Sequence, residues 1–173
     1  KEDITNIGDK NYEFILSIAN KANFGFPTPF EIGKKSIQIG ACVRWAGASV
    51  DPDKSIMYVS ADQSPFTYEI IKNNEGKHNY SSSWKILNDQ DGFPGIKPPW
   101  GTLTSLDLIS GKILWQVPLG EHESLKKRNI PITGTKNRSG ATATAGGLIF
   151  VSGTEDKKIR AFDSSNGKEL WSY

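Results

Sequence analysis

The sequence predicts an all-β fold of repeated four-stranded antiparallel units entered through one short helix, and three observations predict it. A phrase of the form small residue, any residue, Asp, three residues, Gly-Lys, two residues, Trp stands twice. It is carried by Ser105, Asp107, Gly111, Lys112 and Trp115, and again by Ala161, Asp163, Gly167, Lys168 and Trp171. Each copy follows a small-residue run and a strongly apolar run, so each set reads as four strands, and repetition at about 40–60 residues is the spacing of propeller blades. Seventeen glycines and nine prolines in 173 residues supply the turns such a fold needs.

The first element is the helix. In "NYEFILSIANKA" the residues Tyr12, Ile15, Ile18 and Ala19 fall on one face at helical spacing. The prolines of "FGFPTPF" forbid its continuation, which makes residues 1–35 a helix and lead-in segment. Residues 36–120 form the first unit, with strands expected in "CVRWAGASV", "IMYVSAD", "WGTLTSLDL" and "KILWQV". A long insertion, 63–99, separates its second and third strands, and excursions of that length are usually functional loops or mobile segments. Residues 121–173 comprise a connecting loop and a second unit with strands in "SGATATA", "GLIFVSG", "KIRAFDSS" and "KELWSY". In a propeller, both long connections emerge on the same rim. In the repeated phrase Asp caps the turn, Gly takes the positive φ of a tight turn, and Trp offers a flat surface to the neighbouring blade.

Composition sets limits. With 36% hydrophobic and 10% aromatic residues the chain is globular, and a net charge of +2 on scattered lysines gives no basic stripe for nucleic acid. The one cysteine, Cys42, makes no internal disulfide and reads as a small buried side chain. No run of about 18 apolar residues occurs, and the charged start "KEDITNIGDK" is no signal peptide. The chain reads as a piece of something longer.

The stretches "RWAGASVDPDKSIMYVSAD", "KPPWGTLTSLDLISGKILWQVPLGE" and "TAGGLIFVSGTEDKKIRAFDSSNGKELW", with "FGFPTPFEIGKKSIQIG" upstream, closely resemble the C-terminal part of pyrroloquinoline quinone (PQQ)-dependent dehydrogenases, especially the quinoprotein glucose dehydrogenase type. The resemblance implies an eight-bladed propeller of which this chain supplies about two blades. It also implies PQQ and a divalent cation, Ca or Mg, held mainly by residues outside this chain. The implied reaction is oxidation of a sugar or alcohol hydroxyl by hydride transfer to the quinone, with electrons leaving through ubiquinone or a cytochrome. A periplasmic location, with membrane association through segments not present here, follows from the same resemblance.

No motif here matches the family's catalytic Asp and Lys, so no catalytic residue and no metal ligand is assigned. Four residues are candidate cofactor contacts. Trp45, beside Arg44, stands at the start of the first blade's inner strand. Near the end of "IMYVSAD", Ser60 stands where the resemblance to the glucose dehydrogenase pattern implies an asparagine, and a serine has a shorter reach and lacks the amide's paired donor and acceptor. Arg138 and Asn137 precede the second blade's inner strand, where the family's Gly-Gly-Pro becomes Ser139, Gly140 and Ala141. An arginine there suits the carboxylates of a triacid cofactor.

Other apparent motifs have plainer readings. Asp51 and Asp53 shape a strand-ending turn, "TEDKK" is a hairpin tip, and Trp100 packs. His78 and His122 lie in loops without companion ligands. The competing functional class is a non-catalytic propeller scaffold resembling the outer-membrane assembly lipoprotein. Either class leaves blade flanks to be covered by the remaining blades or by self-association.

Overall fold

The structure is a computed structural model that describes residues 2–24, 29–43, 46–73 and 79–173, with the main chain alone at 41 and 42. In chain order the elements are α1 (Asp9–Ala19), β1 (Asn23–Phe24), β2 (Lys35–Val43), β3 (Ser49–Asp51), β4 (Ile56–Lys72), β5 (Tyr80–Ile86), β6 (Gly101–Asp107) and β7 (Ile113–Pro118). Then follow α2 (Glu123–Lys126), β8 (Ala141–Ala143), β9 (Leu148–Val151), β10 (Arg160–Asp163) and β11 (Glu169–Ser172). Strands dominate, as expected. The chain divides into two compact units, one of residues 1–40 with 64–97 and one of residues 41–63 with 98–173. That division cuts across the boundaries at 35 and 120 drawn from the sequence.

In the first unit α1 buries Ile15 against Ile4, Ile37 and Leu87, with Tyr12, Ile18 and Ala19 packed around them. The helical face read from spacing is the one that packs. Asn11 is buried on the same helix, and its amide donates to the carboxylates of Asp89 (2.7 Å) and Asp91 (3.1 Å). The expected long loop is largely a hairpin: β4 runs on to Lys72 and pairs antiparallel with β5, from Phe66 opposite Ile86 to Lys72 opposite Tyr80. Phe66 and Trp84 meet edge-on at 5.6 Å on this hairpin. The physical reason is that an apolar strand gains more from pairing than from ending, and "FTYEIIK" has the β-branched and aromatic content to continue.

The second unit holds two four-stranded antiparallel sheets. One is β3, the leading half of β4, β6 and β7; the other is β8, β9, β10 and β11. These are the two repeats, strand for strand. The inner strand of the first repeat is not the continuous run "CVRWAGASV": Cys42 and Val43 end β2, itself a neighbour of β4, Arg44 and Trp45 fall outside the described residues, and Ser49–Asp51 pair with β4 as β3. The side chain of Cys42 likewise lies outside the described residues. The core joins both sheets through Tyr58, Leu103, Leu119, Ile149, Val151 and Phe162.

The repeated phrase folds identically in both places. Asp107 accepts from the N–H groups of Ile109 (2.8 Å) and Ser110 (3.0 Å), and Asp163 accepts from that of Ser165 (2.8 Å). These bonds, the Ser110 N–H foremost at Asp107 and the Ser165 hydroxyl foremost at Asp163, hold both carboxyls below the usual range. Gly111 and Gly167 close the turns at φ +70° and +72°, each donating its N–H to the Asp carbonyl at 2.9 Å. Ser105 faces Trp115 and Ala161 faces Trp171 in matching register, with a bulge one step beyond in each ladder.

Trp115 then does what the phrase predicts. Its indole N–H donates to the Ser164 carbonyl at 3.1 Å in the next sheet's turn, and its ring lies so close over Gly167 that an added Cβ would come within 2.6 Å of the ring. A second tight joint fastens the connecting loop. The Trp100 N–H bonds to Thr133 O at 2.7 Å and the Thr135 N–H to Leu119 O at 2.8 Å. The main chains therefore cross at Gly101 and Gly134, where an added Cβ would meet opposing backbone oxygens at 1.9 Å and 2.1 Å. Trp100 is wholly buried there, edge-on to His122 at 5.5 Å, as a packing residue.

Candidate functional site

The candidate contacts Ser60, Asn137 and Arg138 lie where the leading half of β4 meets the segment that enters β8. Ser60 is buried in β4, opposite Leu103, and its hydroxyl donates to the Ser139 carbonyl at 2.6 Å. One residue on, the Ala61 carbonyl accepts from the Asn137 side-chain amide at 2.9 Å. Asn137 is completely buried, forms an isolated bridge with Thr154, and its Oδ1 has no hydrogen-bond partner among the described residues. Arg138 is exposed, its backbone N–H held by the Gly153 carbonyl at 3.0 Å. The structure thus brings Ser60, Asn137 and Arg138 together, while Trp45 lies outside the described residues.

Chemically, this arrangement is first a latch between sheets. Two side chains of unequal length each read a main-chain carbonyl across the joint, and Ser49 adds a third bond by accepting the Ala143 N–H at 2.9 Å. A net stabilisation of about 1 kcal/mol for each such bond is the ordinary scale. What is left for a ligand is the exposed Arg138 guanidinium, five donors suited to carboxylates, whereas the unpartnered Asn137 Oδ1 is buried. Asp62, buried and one residue past Ala61, is an acidic group at this junction that sequence reading passed over.

A charged network beside the junction was also missed. Asp156 pairs with Arg160, whose side chain is 4% exposed, and the Asp156 carboxylate also accepts from the Thr154 hydroxyl at 2.5 Å and from the Glu121 N–H at 3.0 Å. Arg160 reaches Glu169 at 3.1 Å. Burial would raise the Asp156 carboxyl, but the hydrogen bonds from Arg160, Thr154 and Glu121 and the Arg160 charge outweigh it and hold it far below the usual range. Glu121 bonds Lys158 at 2.8 Å and Lys126 at 3.3 Å, and the Lys158 bond chiefly lowers its carboxyl. Burial against Trp100 lowers the His122 imidazole. The segment "TEDKK" is the hairpin tip expected, but it is also the anchor of the connecting loop. The one signal in the sequence was an arginine inside an otherwise apolar strand, "IRAF".

Asp51 accepts from the N–H groups of Asp53 (3.1 Å) and Lys54 (3.2 Å) and from the Lys54 ammonium (3.0 Å), the turn expected. In the first unit, a cavity of about 190 Å³ is lined by Ile4, Ile15, Leu16, Ile37, Leu87 and Ile96. Its lining is mostly apolar, with Asp3 and Asn20 the polar side chains. Among the described residues no helix is long and apolar enough to cross a membrane.

The comparisons with known proteins bear on this geometry directly. The family described as PQQ glucose/ethanol/alcohol dehydrogenase, beta-propeller domain, matches residues 25–173. A probable quinate dehydrogenase (quinone) of Xanthomonas campestris pv. juglandis is 45% identical over 85 residues, 46% of this chain and 11% of the relative. The quinoprotein glucose dehydrogenase of Gluconobacter oxydans (strain 621H) is 27% identical over 162 residues, 73% of this chain and 20% of that one. A quinoprotein ethanol dehydrogenase of Pseudomonas aeruginosa is 30% identical over 131 residues, 75% of this chain and 18% of that one. A solved europium-containing methanol dehydrogenase aligns with a TM-score of 0.47 at 23% identity, covering 73% of this chain and 19% of that one. The chain spans between 10% and 20% of the length of these curated relatives. With two repeats joined through Trp115 and a family match over nearly its whole length, the chain belongs to the PQQ glucose/ethanol/alcohol dehydrogenase beta-propeller family.

Proposed function

We propose that this chain supplies two blades of a PQQ-dependent dehydrogenase that oxidises a hydroxyl of a sugar or alcohol. The observation that carries the reading is the family match across residues 25–173. Relatives named for glucose, ethanol and quinate support a hydroxyl compound as the substrate class. When bound, PQQ with Ca²⁺ or Mg²⁺ supplies a hydride acceptor polarised by the cation. Both are held mainly by residues outside this chain, and so are the catalytic acid–base groups. Ubiquinone or a cytochrome takes the electrons, on the periplasmic side.

The residues of this chain bind and orient. Arg138, exposed on a backbone-anchored loop, is proposed to pair with a cofactor carboxylate. Asn137 presents Oδ1 from a fixed position, because its amide nitrogen is already tied to Ala61. Ser60 contributes by holding the Ser139 carbonyl, and through it the loop bearing Arg138. Trp45 belongs to the same proposed site.

The test is made on a polypeptide that carries this segment within a complete set of blades. Loaded with PQQ and Ca²⁺, it reduces an artificial dye with glucose, ethanol or quinate, and Arg138→Ala raises the PQQ concentration for half-loading by about tenfold. The 173-residue chain alone, given the same mixture, reduces no dye. Failure of the complete protein to take up PQQ overturns the reading in favour of a binding scaffold.

A further inference from the structure

The sequence holds one Asn-Gly pair, Asn166 with Gly167, and it lies in the turn that Trp115 covers. Asparagine is among the chemically labile side chains, and a following glycine, having no Cβ, leaves its own peptide nitrogen unhindered for attack on the asparagine side chain. In that reaction the Gly167 nitrogen bonds to Asn166 Cγ and the Cγ–Nδ2 bond breaks. The proton of the Gly167 N–H passes to solvent base, and ammonia leaves with a proton from solvent. Water then opens the cyclic imide, at the side-chain carbonyl to give aspartate or at the main-chain carbonyl to give isoaspartate. Water is the only co-reactant.

The folded turn holds both reacting groups back. The Gly167 N–H donates to the Asp163 carbonyl at 2.9 Å, a bond that must break before the nitrogen can give up its proton. Asn166 Oδ1 accepts from the Lys168 N–H at 2.8 Å, which fixes the carboxamide towards the residue beyond the glycine. Gly167 is buried at φ +72° under the Trp115 ring, too tightly for even an added Cβ, so its peptide has no room to swing towards Cγ. The Trp115 indole N–H, bonded to Ser164 at 3.1 Å, clamps the other end of the turn. Shape alone does not call for an amide here: the twin turn carries Ser110 in this place, and its hydroxyl accepts from the Lys112 N–H at 3.4 Å. We propose that Asn166 is a one-way modification site, shut while Trp115 covers the turn and deamidated when that joint opens. The aspartate product keeps an oxygen for the Lys168 N–H and lets the turn re-form. The isoaspartate product routes the main chain through Cβ, so Gly167 no longer falls beneath the ring with its N–H on Asp163. A reversible opening is thereby made permanent. Both partners of this joint lie within the chain, and the proposal rests on their geometry and not on the quinoprotein reading, so either can fail without the other.

The experiment incubates the 173-residue chain in mildly alkaline buffer and follows its tryptic peptide 161–168 by mass spectrometry, with enzymatic methylation to count isoaspartate. A free peptide of the same sequence sets the unprotected rate. The folded wild type is expected to deamidate at Asn166 at least about tenfold more slowly than the peptide. Trp115→Ala, shown by circular dichroism to be folded, is expected to react about tenfold or more faster than the wild type, because the cover is gone. Urea below the unfolding transition supplies a test that needs no variant: the wild-type rate should rise in step with hydrogen exchange of the Trp115 indole N–H. Finally, the purified isoaspartate form is expected to lose protection of that indole proton, while Asn166→Asp retains it. A folded wild type that reacts as fast as the peptide overturns the proposal, as does a folded Trp115→Ala that stays equally protected. Deamidation that rises in urea without indole exchange overturns it too, and so does an isoaspartate form whose indole proton remains protected.

Discussion

The two sheets of the second unit carry the same phrase with the same turn geometry, yet Trp115 is packed and bonded while Trp171 is half exposed. The glycines repeat the contrast, Gly167 pressed under an indole and Gly111 open. The phrase therefore encodes a local shape, and the neighbour supplies the burial. Equal sequence does not give equal energy.

The largest expected effect breaks that symmetry through the glycines. Gly167→Val combines a positive φ with a collision against the Trp115 ring and is expected to destabilise the second unit by more than about 3 kcal/mol, whereas Gly111→Val bears only backbone strain of about 1–2 kcal/mol. Urea unfolding of both variants measures the difference, and equal midpoints would erase the contrast. Next comes the buried ion pair of the second sheet. Arg160→Leu leaves the Asp156 carboxylate largely buried without its cation and is expected to cost about 3 kcal/mol in the same assay.

Trp115→Ala follows at about 2–4 kcal/mol, against no more than about 0.5 kcal/mol for Trp171→Ala, whose side chain is half exposed. Tryptophan emission sharpens this pair: loss of Trp115 is expected to take more from the blue side of the spectrum than loss of Trp171, the wholly buried Trp100 emitting in both variants. Acid provides the next contrast. The Asp156 carboxyl is depressed on folding, so its stabilising contribution is complete above the ordinary carboxylate pKa of about 4 and is lost as pH falls below it. Urea midpoints of the wild type should fall from pH 5 to pH 3 more steeply than those of Asp156→Asn; parallel curves would remove the acid sensitivity from this residue. The smallest effect belongs to the latch: Ser60→Ala is expected to cost about 1 kcal/mol, through the bond to Ser139.

Much of the fold was legible because its determinants are local. The Asp-to-Gly turns, the helix with Ile15 inward, and both sets of four strands follow from spacing and residue type within a few positions. The hairpin of β4 and β5 was not, because it depends on whether a strand finds a partner beyond "KNNEGKHN", and composition alone does not decide that. The site was legible only as a neighbourhood. Asn137 and Ser60 lie at one junction, where their donors are spent on carbonyls of Ala61 and Ser139, and no sequence pattern marks which backbone oxygen a side chain will meet. Arg160 and Asp156 sit four residues apart, a spacing that announces an ion pair on a helix and nothing on a hairpin.

The crossing of main chains at Gly101 and Gly134 bears on how this molecule tolerates change. The crossing itself is closed by hydrogen bonds between peptide groups. A single added methyl at either glycine would prise it open whatever the flanking side chains, so a seam that no side-chain pattern announces is secured by the two positions that carry no side chain.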